Sequence, residues 1–478
     1  MNKRNVAKLT ALLLGLICLT SCGKAADDNS IKVIFWHTSG ASLAHGFEDA
    51  AKKFTALVKA NENVDVTVTC SYQGGYGDIE NKISKGFATG SVPTMAIAYP
   101  DHVADYLAAD TNNKGYVLDL TSYINDSTIG FGKETWLGDA GADDFVSAFY
   151  QEGNQYSKEG IYSLPFMKST EALFYNYDLL LPYATKFTPT GKTAPLGTPA
   201  AVKDFMTKLT WSDLIDLARY IKTQASSSSL LAPIYYDADE NLFISQSYQR
   251  NIPYLSVKEG KCSVDFNNAD AKSMVTELKK AYDDGLIVTK GTQGGKYSSQ
   301  AFVGETCIFS IASTGGTGYQ DPGAQFQAEA VKVPYSNNNP KYVSQGPTMT
   351  ILNNPGLSTE KNALATKYAF KFAKYLTSAA VNTVLCINDS EGYIPVRKSA
   401  YETEAWKNNV QDNADLLTTK AAVTIVNEIN DKYLLTPAVK GSAKARTEVG
   451  GIITNVFLGK SSVDDAFASA YQQANLAI

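Results

Sequence analysis

The chain has 478 residues, 44% of them hydrophobic and 19% charged, with a formal net charge of −5. That is ordinary for a soluble protein with more than one core, and it gives no electrostatic reason to expect nucleic acid or an anionic membrane surface as partner. With 3 His against 28 Tyr, the composition argues against metal centres and His-based acid–base chemistry, and favours flat, hydroxyl-bearing surface for a small polar ligand.

At the N-terminus, Met1-Asn2-Lys3-Arg4 is a basic head, Leu9 to Leu19 a short apolar run, and Leu19-Thr20-Ser21-Cys22 a box of small residues before a cysteine. The run is too short to span a membrane as a mature helix. The box resembles the bacterial lipobox. That resemblance implies a signal peptide over 1–21, lipid on Cys22 and a polar tether over 22–30.

Val33 to His37 predicts a buried strand, and Leu43, Phe47, Phe54 and Leu57 share a face of the helix after it. Val64, Val66, Val68, Cys70 and Tyr72 alternate with polar residues, as a strand does. The turn Gln73 to Asp78 opens a helix through Ile79, Ile83 and Phe87, and Met95 to Tyr99 is a further strand. Strand and helix alternate, so the fold class is α/β.

After a loop-rich stretch from about 112 to 160, Tyr162 to Phe166 and Ala172 to Asn176 read as a strand pair around Met167-Lys168-Ser169-Thr170. Thr210-Trp211-Ser212-Asp213 is a capping box opening a helix of Leu214, Leu217, Ala218 and Ile221. Ser226 to Ser229 reads as a surface loop, and Gly285 stops a helix lined by Met274, Leu278 and Tyr282. Cys307 to Ala312 is a buried strand running into Ser313-Thr314-Gly315-Gly316, Val343 to Leu352 is a strand with Gly346-Pro347 inside it, and Tyr368, Phe372 and Leu376 mark a helix. Cys70, Cys262, Cys307 and Cys386 are too widely spaced for a zinc pattern; Cys70 and Cys307 read as small buried hydrophobes.

Near the C-terminus, Ala445, Val449, Ile452 and Val456 form the apolar stripe of a helix, with Ser442 as its expected cap. Arg446 lies beside the stripe near the positive end of that helix, where a further cation is mildly unfavourable. Beyond Cys22 its only fellow arginines are Arg219, Arg250 and Arg397. It reads either as an ion pair with Glu448 or another carboxylate, or as an anion site built from a guanidinium, helix N–H groups and hydroxyls.

The order of these landmarks resembles that of extracellular solute-binding proteins of ABC importers, in their large carbohydrate-type branch. The landmarks are the lipobox, the Phe35-Trp36-His37 strand, the Tyr72 to Tyr76 turn, the Ser169 segment, "TWSDL", "CIFSIASTGG" and "EGYIPVRKSAY". The resemblance implies a periplasmic-binding-protein-like type II fold, two α/β lobes joined by a multi-crossing hinge. The first lobe is expected over 31–165 and 343–399, the second over 166–342 and 400–478. It also implies a monomer held outside the cytoplasm by its lipid, serving an ABC permease and its ATPase subunits, with no catalysis, cofactor or metal.

Within the branch the chain is most similar to binders of glycerol-3-phosphate and its diesters, such as glycerophosphocholine. On that similarity the ligand-contacting tyrosines fall on Tyr76 and Tyr393, the pocket serines on Ser169 and Ser313, a backbone-donating glycine on Gly346, the pocket tryptophan on Trp211 and the phosphate-binding arginine on Arg446. Where some members carry an acid directly after the strand this chain has Pro100, and Asp101 follows as the acceptor for glycerol hydroxyls. A phosphate asks for positive charge and no competing carboxylate, and Arg446 would supply two charge-assisted bonds. The alternative ligand is a neutral sugar or oligosaccharide.

Overall fold

The computed structural model describes residues 30–112, 114–225, 229–258, 261–387 and 392–478. The lipobox, Cys22, nearly all of the tether, most of the Ser226–Ser229 run and Glu391 lie outside the described residues.

Strand β1 (Ile31–His37) alternates as its sequence predicts, burying Val33, Phe35 and His37. It lies parallel to β2 (Val66–Tyr72) on one side and to β3 (Met95–Ala98) on the other. Two antiparallel strands, β13 (Thr348–Ile351) and β4 (Leu164–Pro165), complete a five-stranded sheet in the order β2-β1-β3-β13-β4. The helix Ala41–Glu62 buries Leu43, Phe47 and Phe54 against it, with Leu57 partly buried beside them. The helix Thr359–Leu376 packs on the same lobe.

A second five-stranded sheet has the order β11-β5-β10-β6-β9, from β5 (Glu171–Asn176), β6 (Ile234–Tyr236), β9 (Ile287–Thr289), β10 (Phe309–Ser313) and β11 (Ala328–Lys332). The helices Asp239–Gln249, Ala269–Asp283, Ser442–Phe457 and Val463–Ala477 cluster in this lobe. A hairpin of β7 (Leu255–Lys258) and β8 (Lys261–Val264) and a short parallel pair of β12 (Tyr342–Val343) and β14 (Tyr433–Leu434) complete the strands among the described residues.

One expected strand pair and one expected strand are divided by the crossing between sheets. The stretches around Met167–Thr170 do not pair with each other: Leu164–Pro165 joins the first sheet and Glu171–Asn176 the second. Likewise the run from Val343 to Leu352 breaks at Gly346, leaving β12 before the crossing and β13 after it. The two crossing segments run antiparallel, with Ser169 N–H donating to the Gln345 carbonyl at 3.0 Å and Gln345 N–H returning to the Ser169 carbonyl at 2.9 Å. Gly346 has φ +90°, and a Cβ there would lie 2.2 Å from the Met167 carbonyl oxygen, so only glycine permits the crossing.

The loop-rich stretch after residue 112 is fastened by charge. Lys371 and Lys374, on the inner face of the Thr359–Leu376 helix, are almost fully buried. Lys371 Nζ donates to Glu134 Oε1 at 2.6 Å and pairs with Glu62, while Lys374 Nζ lies 2.8 Å from Glu134 Oε2 and 3.0 Å from Asp139 Oδ2. Arg397 adds its guanidinium 3.7 Å from Asp139 Oδ1 and 3.6 Å from the centre of the Phe145 ring. Three cations thus meet three carboxylates, a balance that burial requires.

Candidate functional site

The Pro100–Ala109 helix of the first lobe packs against the Ser442–Phe457 helix of the second. Ala445, Val449, Ile452 and Val456 are all buried, so the stripe fixes the rotation of the second helix and presents Arg446 to the cleft. The cap differs from expectation. Gly441, at φ +84°, occupies that place, because the Ser442 hydroxyl turns back to donate to the Val439 carbonyl at 2.7 Å.

Arg446 reaches across the cleft. Its Nε lies 3.3 Å from Asp101 Oδ2, Nη1 donates to Asn241 Oδ1 at 2.9 Å, and Nη2 donates to Thr436 Oγ1 at 2.9 Å. Burial works against its charge, but Asp101 together with Tyr254, Glu240 and Tyr99 offsets this and holds the guanidinium above its ordinary pKa. Of the two sequence readings, the ion pair is what forms, with Asp101 as partner; Glu448 is taken by Lys444 at 2.5 Å. The carboxylate-free surrounding that a phosphate would ask for is not found around Arg446, where Asp101 Oδ2 lies 3.3 Å from its Nε.

Between the lobes lies a cavity of about 90 Å³ lined by Asp101, Gly346 and Arg446 together with residues that sequence reasoning missed: Tyr99, Glu152, Gln155, Lys168, Glu240, Asn241, Ser344, Gln345 and Thr436. Its floor is the hinge crossing. Lys168 Nζ donates to Glu152 Oε2 at 2.7 Å, and Ser344 Oγ donates to Glu152 Oε1 at 2.6 Å. The Gly346 carbonyl accepts from Lys168 Nζ at 3.4 Å. Two cations and three carboxylates line the cavity, and both cations are already paired. The one signal for Lys168 was its place beside Ser169 in the crossing segment; nothing local in the sequence marks Glu152 or Glu240.

A tyrosine wall stands beside the cavity. Tyr76 stacks on Tyr99 with ring centres 4.0 Å apart, and its hydroxyl bonds with Tyr393 and Thr38. Burial pushes the Tyr76 and Tyr99 hydroxyls well up from their ordinary pKa, so both remain neutral hydrogen-bonding groups. Tyr393 lies against Gly315, where a Cβ would come within 2.6 Å of the ring, so this turn needs a residue with no side chain. Ser313 ends β10 with its Oγ accepting from Gly315 N–H at 3.3 Å, and Ser169 is buried in the crossing.

Trp211 is not brought to this place. Its indole opens the Trp211–Gln224 helix behind the predicted Thr210–Asp213 capping box and stacks on Tyr236 at 6.2 Å. It lines a separate groove in the second lobe with Arg219, Arg250 and Tyr335. The apolar demand of the lobe core outweighs any role in the cleft, and Trp211 is 4% exposed.

Similar solved structures have the same two-lobed architecture. The GacH receptor of Streptomyces glaucescens, solved unliganded and with acarbose, is 20% identical with a TM-score of 0.66, covering 93% of this chain and 97% of its own. The cyclic α-maltosyl-1,6-maltose binding protein of Arthrobacter globiformis is 17% identical with a TM-score of 0.66, covering 94% and 99%. UgpB of Mycobacterium tuberculosis, solved with glycerophosphocholine, is 14% identical with a TM-score of 0.67, covering 93% and 98%. At these identities the likeness shows the fold. A search of curated protein sequences finds no match. The profile of bacterial extracellular solute-binding proteins matches residues 49–414, well over half of the sequence, and the chain therefore belongs to that family, the solute-binding components of ABC importers.

Proposed function

We propose that the cleft captures an uncharged, hydroxyl-rich solute, a small carbohydrate or polyol, and that closure of the two lobes around it makes the form a membrane permease receives. The observation that carries this reading is the pairing of charge in the cavity. Arg446 is engaged by Asp101 and Lys168 by Glu152, and Glu240 adds a third carboxylate. Hydroxyls both donate and accept, so they can use the remaining lone pairs and N–H groups of such pairs without adding charge. A phosphate oxygen about 4 Å from one of these carboxylates would meet a repulsion of roughly 4 kcal/mol at an effective dielectric near 20. The Tyr76 and Tyr99 rings add flat surface for the carbon faces of a sugar. Two of the similar structures are named for saccharide ligands.

A second reading keeps glycerol-3-phosphate or a glycerophosphodiester as solute. It is favoured by Arg446 itself, whose partners Asn241 and Thr436 are neutral, so withdrawal of Asp101 on opening leaves a guanidinium edge for an anion. Calorimetry separates the two. Saturable binding of a neutral saccharide, with none of glycerophosphocholine or glycerol-3-phosphate, is expected; binding of either phosphate compound that Arg446→Ala abolishes would overturn the first reading.

The same proposal takes 31–165 with 343–399 as one closing body and 166–342 with 400–478 as the other, acting as a monomer with an ABC permease. Cys22 carries the lipid that keeps the chain at the membrane surface.

A further inference from the structure

Behind Arg446 the hydrogen bonds continue into the second lobe. Asn241 Nδ2 donates to Glu171 Oε1 at 3.2 Å, and Tyr236 Oη donates to Glu171 Oε2 at 2.6 Å. Glu171, Asn241 and Tyr236 are each no more than 3% exposed. The chain of contacts therefore runs from the core of one lobe through Arg446 to Asp101 of the other.

An asparagine side chain has one accepting end and one donating end. Arg446 offers only donors, so Asn241 must turn its oxygen toward Arg446 and its NH2 toward something that accepts. Glu171 Oε1 is that acceptor, and it remains one whether the carboxyl is ionised or is protonated on the oxygen facing Tyr236. Glu171 thereby decides which end of Asn241 the guanidinium meets.

We propose that Glu171 and Asn241 are positioning residues for Arg446: they hold its guanidinium on Asp101, so that the two lobes are drawn together by a contact set from inside the second lobe. Glu171 acts through Asn241 and is not among the residues that line the cavity. Arg446 sits on the Ser442–Phe457 helix and Asn241 on the Asp239–Gln249 helix, and the two helices pack on each other, so the placement is rigid. The inference holds whichever solute the cleft takes.

The test is the radius of gyration by small-angle X-ray scattering of the full chain without added solute. Asp101→Ala, Asn241→Ser and Glu171→Met are each expected to shift the protein to the same larger radius. Glu171→Gln, which keeps an accepting oxygen toward Asn241 and turns its NH2 toward the Tyr236 hydroxyl oxygen, is expected to restore the wild-type value. The double variant Asp101→Ala/Glu171→Met is expected to expand no further than either single change, as for residues acting through one contact. A Glu171→Met protein as compact as wild type, an additive double variant, or a wild type already as expanded as Asp101→Ala would overturn the proposal. Should Glu171→Met fail to fold by circular dichroism, Asn241→Ser and its double variant with Asp101→Ala carry the same expectations and the same refutations.

Discussion

Asp105 Oδ1, one turn beyond Asp101 on the first-lobe helix, accepts the backbone N–H of Gly441 in the second lobe at 3.1 Å. Gly441 sits there at φ +84°, and a Cβ on it would lie 2.9 Å from the Ala477 carbonyl carbon. The lobes thus meet through two carboxylates of one helix, one paired with a guanidinium and the other with a peptide N–H.

Burial raises the Asp105 carboxyl to about 6 from an ordinary 3.8, although the Gly441 N–H pulls the other way. Between those values the native state binds the proton more tightly than the unfolded chain does. The stability tied to this group is therefore full below the ordinary value and is lost as pH rises through about 6. Asp105→Asn keeps an acceptor for Gly441 and removes the titration. Its melting temperature is expected to exceed wild type by a few degrees at pH 8 and to match it at pH 4; an unchanged difference across that range would refute the assignment.

Gly346→Ala places a methyl against the Met167 carbonyl in a left-handed backbone conformation. We expect a loss of about 3 kcal/mol or more in unfolding free energy, read from urea transitions, because neither crossing segment can give way without the other. An alanine variant as stable as wild type would show that the crossing is looser than described.

Glu134→Ala removes the carboxylate shared by Lys371 and Lys374 and leaves two buried ammonium groups with fewer counter-charges. Breaking a buried pair in this way costs about 3–5 kcal/mol. The midpoint in guanidinium chloride should fall accordingly, and limited proteolysis should open first in the stretch between residues 112 and 160, which this cluster fastens.

Trp211→Ala is expected to destabilise the second lobe by about 3–5 kcal/mol, as truncation of a buried aromatic does. At temperatures where the variant stays folded, its affinity for solute should match wild type within about twofold. A selective loss of affinity without loss of stability would return Trp211 to the binding site.

Cys22→Ser is expected to move the protein from the membrane fraction to the soluble fraction on cell fractionation, with its solute affinity intact. Retention at the membrane would count against the lipobox reading.

The regular elements were legible because each writes its own periodicity. The alternation of Val33, Phe35 and His37, the Thr210–Asp213 capping box and the stripe from Ala445 to Val456 depend on neighbours a few residues away. The cleft was legible only in part, since its pairs join distant segments. Arg446 meets Asp101, and Lys168 meets Glu152, through tertiary placement that no local spacing announces. Gly346-Pro347 stood inside one expected strand, and the division of that run between two sheets follows from the crossing. The burial of Arg397 depends on Asp139 and Phe145, from a region with no periodic pattern, so no local spacing announced it.

The floor of the cavity and the hinge are the same few residues. Lys168, Ser344 and Gly346 line the cavity while their backbones carry the chain from one sheet to the other. On the proposed reading, a substitution that retunes selectivity there also alters the bending stiffness of the molecule, so recognition at the floor is not adjusted independently of mechanics. On the same reading, ligand preference is freer to diverge at Tyr99 and Glu240, which line the cavity away from the crossing.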